Sequence, residues 1–435
     1  MMATYCMDGL VYPDRTLHTG LLEYKNVYRP ARVISYKQRK RRLVLHNYMD
    51  FDDLKDYVKI SYELTQDGLV ISKGILPEFS VAPHSEGKTN LQVNVPENGK
   101  CYLKLTYHLK KEMPLLEEDY ILGFDEIEVS QKDAKCQLAE KWVEKTVTDS
   151  ELQVSEDDTQ IHIKGREFAY TIDRRTALFT EMKFAGREYL NHPMELNIWR
   201  APTDNDMYIK SEWKKAHYDK AYTRAYTTEV VQGKHGVKIT SHASVVAETV
   251  QKILDVTITW KIEAAGKIDA DIAVTKDDEF PDLPRFGVRM FLDKKLSAAR
   301  YFGMGPQESY CDKHQAASHG LYHANVDDLH EDYIRPQENG SHYDCEYVEL
   351  NNSRYGIVVS AENAFSFNAS YYTQEELEKK THNYELTESD SVVFCVDYAL
   401  NGIGSNSCGP VVLDQYRFDD VLFRFQFTLI PYVKG

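Results

Sequence analysis

Alternation of apolar and polar positions dominates the chain. KCYLKLTYHL (100–109) puts Cys101, Leu103, Leu105, Tyr107 and Leu109 on one face. VTITWKI (256–262) sets Val256, Ile258, Trp260 and Ile262 against Thr257, Thr259 and Lys261, and VLFRFQFTL (421–429) aligns Val421, Phe423, Phe425, Phe427 and Leu429. A period of two marks half-buried antiparallel strands, and the Val, Ile, Thr and aromatic residues filling these runs are those that strands favour. Between the runs, TQDG (65–68), ENGK (97–100) and AAGK (264–267) each predict a hairpin. Helix is scarce. Thr373 and Glu376 open TQEELEKK in the pattern of a capping box. SEWKKAHYDKAY (211–222) predicts a second helix, with Trp213, Ala216 and His217 on its buried side. The predicted class is all-β, built as sandwiches.

A length of 435 residues exceeds one compact core and predicts two or three domains. Residues 1–30, rich in Tyr, Pro and charge, read as an extended lead-in. Residues 31–128 carry about seven strand-like runs, the rhythm of an immunoglobulin-like sandwich. Residues 129–150 are polar and weakly periodic, as a linker would be. Residues 151–435 hold too many strands for a second sandwich of that size and predict a larger two-sheet one.

Charge narrows the function classes. The formal net charge is -16, and the one basic run, KQRKRR (37–42), could pass for a nuclear signal but leads straight into aliphatics and reads rather as a solvated strand or loop. So acidic a chain gains no electrostatic attraction to phosphate backbones, and no nucleic-acid partner is expected. No apolar stretch of about 18 residues is present, so no membrane-spanning helix is expected. Seven cysteines, Cys6, Cys101, Cys136, Cys311, Cys345, Cys395 and Cys408, are widely spaced with no C-x-x-C. That argues against a disulfide framework and a structural zinc site. With no leader in MMATYCMDG, the expectation is a cytoplasmic protein or a piece of a longer chain.

NIWRAPTDND (197–206) is the most unusual stretch. Ile198-Trp199 runs into Arg200, and Asp204 and Asp206 follow Pro202. A catalytic pair, a metal loop and a structural ion-pair knot all use these residue types. A glycosidase needs two carboxyls about 5–9 Å apart across the sugar, which a loop after proline does not guarantee. A calcium hand needs a glycine and a distant glutamate that D-N-D lacks. The favoured reading has Arg200 partly buried, and paired and hydrogen-bonded by a nearby aspartate. GMGPQESYCD (303–312) and IRPQENGSHYD (334–344) offer Glu308, Glu338 and His342 as acids or bases, or as caps on strand ends. In GIGSNSCGP (402–410), Cys408 has no base beside it in sequence and reads as an inert thiol. No P-loop, G-x-S-x-G or G-x-G-x-x-G occurs.

YCMDGLVYPDRTLHTGLLEYKNVYRP (5–30), NIWRAPTDND, GMGPQESYCD, RPQENG (335–340), FSFNASYYTQEELEKKTH (365–382) and GIGSNSCGP, taken in this order, resemble the large bacterial β-galactosidases of glycoside hydrolase family 2. The resemblance runs from about Tyr5 to Pro431. It implies the C-terminal part of such an enzyme: the tail of a (β/α)8 barrel, an immunoglobulin-like domain and a large galactose-mutarotase-like supersandwich.

The resemblance also implies roles. The family's catalytic glutamates lie in the barrel, and no carboxylate here matches them. Tyr5 and Asp8 stand where a backbone carbonyl and a side-chain oxygen hold a monovalent cation, sodium or potassium; magnesium also serves the complete enzyme. Asn406, Ser407 and Cys408 fall in the loop that reaches the substrate, with Cys408 where some members place a tryptophan platform. Trp199, Arg200, Asp204 and Asp206 become structural. A β-galactoside substrate, the barrel and a homo-oligomer are the implied partners. The alternative is a stand-alone sugar-binding or mutarotase-like protein, with His342 and Glu308 as its pair, or the small subunit of a two-chain enzyme.

Overall fold

The computed structural model describes residues 9–132, 134–138, 152–249, 252–404, 406 and 409–434. Two compact units emerge, Met1–Gln137 with His314–Leu321, and Leu138–Lys313 with Tyr322–Gly435. Residues 139–150 of the expected linker lie outside the described residues.

The first unit is a seven-stranded sandwich of β1 (Ala31–Lys37), β2 (Arg42–Asn47), β3 (Val58–Gln66), β4 (Leu69–Ile75), β5 (Glu86–Asn90), β6 (Cys101–Leu109) and β7 (Ile121–Glu128). One sheet runs β1-β2-β5 and the other β4-β3-β6-β7. The alternation read in β6 is realised: Cys101, Leu103, Leu105, Tyr107 and Leu109 are all buried, against Leu43, Leu45 and Leu64 among others. TQDG forms the β3–β4 hairpin, with Asp67 and Gly68 both at positive φ (48° and 79°), as a two-residue turn matched to strand twist requires.

Three local expectations need correction. ENGK is not a hairpin, because the strands on either side of it, β5 and β6, belong to different sheets. The lead-in contains a nine-residue helix, α1 (Thr19–Val27), N-capped by His18, whose Nδ1 accepts from Gly20 N at 3.2 Å. Histidine is not among the residues that mark an N-cap in sequence. The second helical stretch is cut short: a helix spans Ile209–Lys215, and His217 then turns left-handed at φ 58°. Trp213 and Ala216 are buried, as expected, while His217 is half-buried.

The second unit contains a five-stranded sheet built from strands between Gln153 and Glu188 and a twelve-stranded sheet built from strands between Leu190 and Val433. Apolar side chains of both sheets share one core. Phe179 meets Trp260 edge-on at 4.9 Å, and Trp260 Nε1 donates to Ala177 O at 2.8 Å. Val256, Ile258, Trp260 and Ile262 are buried, as are Phe423, Phe425, Phe427 and Leu429; Val421 stays exposed. AAGK turns between Leu254–Glu263 and Ile268–Lys276. Thr373 Oγ1 accepts from Glu376 N at 3.1 Å at the head of Gln374–Lys379. The Glu376 carboxylate turns instead to Thr387 N, at 2.8 Å, so only half of the expected box forms.

Candidate functional site

The strand Leu190–Asn197 delivers NIWRAPTDND into the second unit. Ile198, Trp199, Arg200 and Ala201 are all buried, and Arg200 is 0% exposed. Its guanidinium grips Asp206 at two points, Nε to Oδ2 at 3.2 Å and a terminal nitrogen to Oδ1 at 2.7 Å, and lies 5.3 Å from the Trp213 ring centre. Burial opposes the guanidinium charge; Asp206 outweighs it and lifts the group above its ordinary pKa. A short turn, Asp204–Met207, follows Thr203, whose N–H donates to Asp206 Oδ2 at 2.9 Å. Asp204 takes no part in this knot. It faces outward, accepts from Arg335 at 3.2 Å, and both side chains are nearly half exposed. The two carboxylates thus part company, one inward and one outward.

The inward half of this knot holds the glycine-rich loop. Arg200 donates to Asn401 O at 2.6 Å and to Gly402 O at 3.3 Å, and Asn205 Nδ2 donates to Gly404 O. From the other side, Asp312 accepts from Ile403 N at 3.1 Å and from Gly404 N at 2.7 Å. Gly404 sits at φ +61°, and a Cβ there would meet Val412 Cγ2 at 2.5 Å, so both conformation and space call for glycine. Asn406 occupies a half-buried turn. Ser407, Cys408, Tyr5 and Asp8 lie outside the described residues. Among the described residues no group of three His, Cys, Asp or Glu side chains is placed to hold a metal.

The remaining acids are engaged nearby. Glu308 accepts from Lys313 Nζ at 2.5 Å, from Gly340 N at 2.8 Å and from the Tyr333 hydroxyl. Burial alone would raise its pKa, and Lys313 reverses the sign. Arg285 meets Asp397 at two points and reaches Glu338 Oε2 at 3.3 Å. Among the described residues Glu338 Oε1 has no hydrogen-bond partner, and burial raises the pKa of this carboxyl. His342 is 1% exposed, packs against Tyr301 and Phe367, and burial lowers its pKa to about 4. Glu308 and His342 are therefore bound into the packing rather than presented to a ligand.

Sequence reasoning missed Arg285, Asp312 and Asp397. Asp397 had a usable signal: it is the one charged residue in SVVFCVDYAL (391–400), a strand buried along most of its length. A lone charge in such a run implies a buried partner. Asp312 had none, since nothing local distinguishes a carboxylate aimed at distant backbone amides.

Comparison with known proteins adds a lineage. Residues 164–429 match the family model described as "Beta galactosidase small chain", and residues 43–130 the one described as "Beta-galactosidase, domain 4". A β-galactosidase of Actinobacillus pleuropneumoniae is 44% identical over 428 residues, covering 98% of this chain and 41% of that protein. One from Staphylococcus xylosus is 31% identical over 430 residues, covering 98% of this chain and 42% of that protein. The chain thus spans about two fifths of the length of these relatives. A solved galactose 1-epimerase from Lactobacillus acidophilus superposes with a TM-score of 0.34 at 8% identity, covering 66% of this chain and 100% of that one, a likeness too slight to carry a functional reading. By the match over residues 164–429, this chain belongs to the β-galactosidase small-chain family.

Proposed function

We propose that this chain is the C-terminal region of a retaining β-galactosidase of glycoside hydrolase family 2, which cleaves terminal β-D-galactosides of the lactose type. Its share of the work is architectural. It supports the catalytic barrel and lends one wall of the active site, while the acid/base and nucleophile glutamates come from outside these 435 residues.

The observation that carries this reading is the anchoring of the glycine-rich loop. Arg200, Asn205 and Asp312 together fix the backbone from Asn401 to Gly404, directly before the stretch expected to meet the sugar. A wall that positions substrate works only if it is held in place. Exposed apolar residues of the first unit support a covered face in the complete protein: Leu69, Val70 and Ile71 in succession on β4, with Phe51 and Leu115 fully in solvent. Tyr5 and Asp8 would offer oxygens to a sodium or potassium ion, and magnesium would serve the barrel. The complete enzyme would be a cytoplasmic homo-oligomer.

The test is an assay of the purified chain, from a host lacking its own β-galactosidase, on a chromogenic β-galactoside. No turnover is expected from the chain alone. Turnover is expected when a polypeptide supplying the remainder of a relative's length is added or fused. Turnover by the chain alone, well above a buffer blank, would overturn the assignment.

A further inference from the structure

The second unit carries a cleft of about 330 Å³ that the reading above leaves unused. Its wall includes Ser366, Tyr398, Gln415, Tyr416, Phe418 and Asp420. Three features define its chemistry.

The first is a set of unspent hydrogen-bonding groups. Ser366 is 5% exposed, yet its hydroxyl makes no hydrogen bond within the described residues. The Tyr398 and Tyr416 hydroxyls and the exposed Gln415 amide and Asp420 carboxylate at its rim also make no hydrogen bond within the described residues. Buried polar groups are normally paired, so a nine-tenths buried serine left open toward a cleft marks a place for a ligand atom. Donors and acceptors are both present, as a ligand bearing several hydroxyls demands.

The second is the aromatic wall. Tyr398 rests one ring face on Phe423, at 4.8 Å and 16°, and packs beside Phe418. Tyr416 is half-buried on a short turn (Asp414–Tyr416) and makes no ring contact within the described residues. Flat aromatic faces suit the C–H faces of a pyranose.

The third is charge. The cleft's arginine, Arg417, is already held by Asp282 at 2.8 Å and Asp414 at 3.5 Å. Among the described residues no unspent cation faces the space, and Asp344 and Asp420 both line it. Phosphorylated, sulfated and carboxylated ligands are therefore disfavoured. Burial and the neighbouring Asp312 push the Cys311 thiol up to about 12, so no thiolate stands ready there for covalent chemistry.

We propose that this cleft is a binding site for a neutral saccharide, with a sugar ring laid on the aromatic wall and its hydroxyls bonded to Ser366, Gln415 and Asp420. The proposal does not rest on the active-site reading, because every residue it uses belongs to this chain and no turnover is required.

The test is ligand-observed saturation-transfer NMR on the full chain with galactose, glucose and lactose as probes, and an alkyl ammonium salt as the cationic counterpart. At least one sugar is expected to bind, and the ammonium is not. Tyr416→Ala removes an already half-exposed ring and is expected to weaken sugar binding about tenfold with the unfolding midpoint unchanged. Asp420→Asn, which keeps two hydrogen-bonding atoms, is expected to weaken it less. No sugar binding by the unmodified chain would overturn the site. So would sugar binding untouched by Tyr416→Ala, or ammonium binding abolished by Asp420→Asn.

Discussion

Arg200 and Asp206, six residues apart in sequence, form a two-point ion pair in which the arginine is 0% exposed and the aspartate 3%. The arginine's remaining donors go to the carbonyls of Asn401 and Gly402, about two hundred residues further along. One side chain therefore ties a local turn to a distant loop.

Arg200→Ala should cost about 3–5 kcal/mol, because it leaves a buried carboxylate and two carbonyls uncompensated. Urea unfolding followed by tryptophan fluorescence reads this directly, since Trp199 adjoins Arg200 in sequence and the Trp213 ring centre lies 5.3 Å from its guanidinium. Arg200→Lys should recover part of the loss but not the two-point grip. An unchanged midpoint in Arg200→Ala would mean that the pair contributes nothing.

Asp312→Ala should act locally. It strips the acceptor from the Ile403 and Gly404 amides, which should exchange faster with deuterium. The expected loss of stability is smaller, about 1–3 kcal/mol. Unaltered exchange at both amides would show that the loop is held without it.

The Arg285 cluster offers a contrast between its two acids. Asp397→Ala breaks a two-point buried pair and should cost about 3–5 kcal/mol. Glu338→Gln should be nearly neutral, because the carboxyl has one weak contact and one oxygen without a partner. Equal losses in the two variants, measured by thermal unfolding, would contradict this division.

His342 sets a pH dependence. Its folded pKa of about 4 lies below the ordinary value of 6.5. Between these values the unfolded chain holds the proton and the folded one does not, so stability falls as pH falls from about 6.5 to 4, by up to about 1.4 kcal/mol per pH unit. Above that window the histidine contributes no slope. His342→Gln should flatten the acid limb of a stability-against-pH curve; an identical slope in both proteins would assign it to other groups.

Legibility in the sequence followed the range of the interaction. Strands such as Cys101–Leu109 and Leu254–Glu263 were plain, because burial of alternate side chains is written into consecutive residues. The turn at Asp67-Gly68 was plain for the same reason. The helix Thr19–Val27 escaped, since a histidine cap and a short weak apolar stripe are faint signals. At the site, Arg200 between Trp199 and two aspartates announced an ion pair, but which aspartate it takes depends on how the chain turns after Pro202. Asp312 and Arg285 depend wholly on partners far along the chain, and no local pattern encodes them.

The bonds from Arg200, Asn205 and Asp312 also bear on assembly. Fixing one backbone residue costs about 1–2 kcal/mol in conformational entropy. For Asn401 to Gly404 that loss is incurred when the sandwich folds, and the stretch meets any opposing surface already in shape. An ordered rim of this kind lets more of the contact energy appear as affinity, because less is consumed in freezing the loop at the moment of contact.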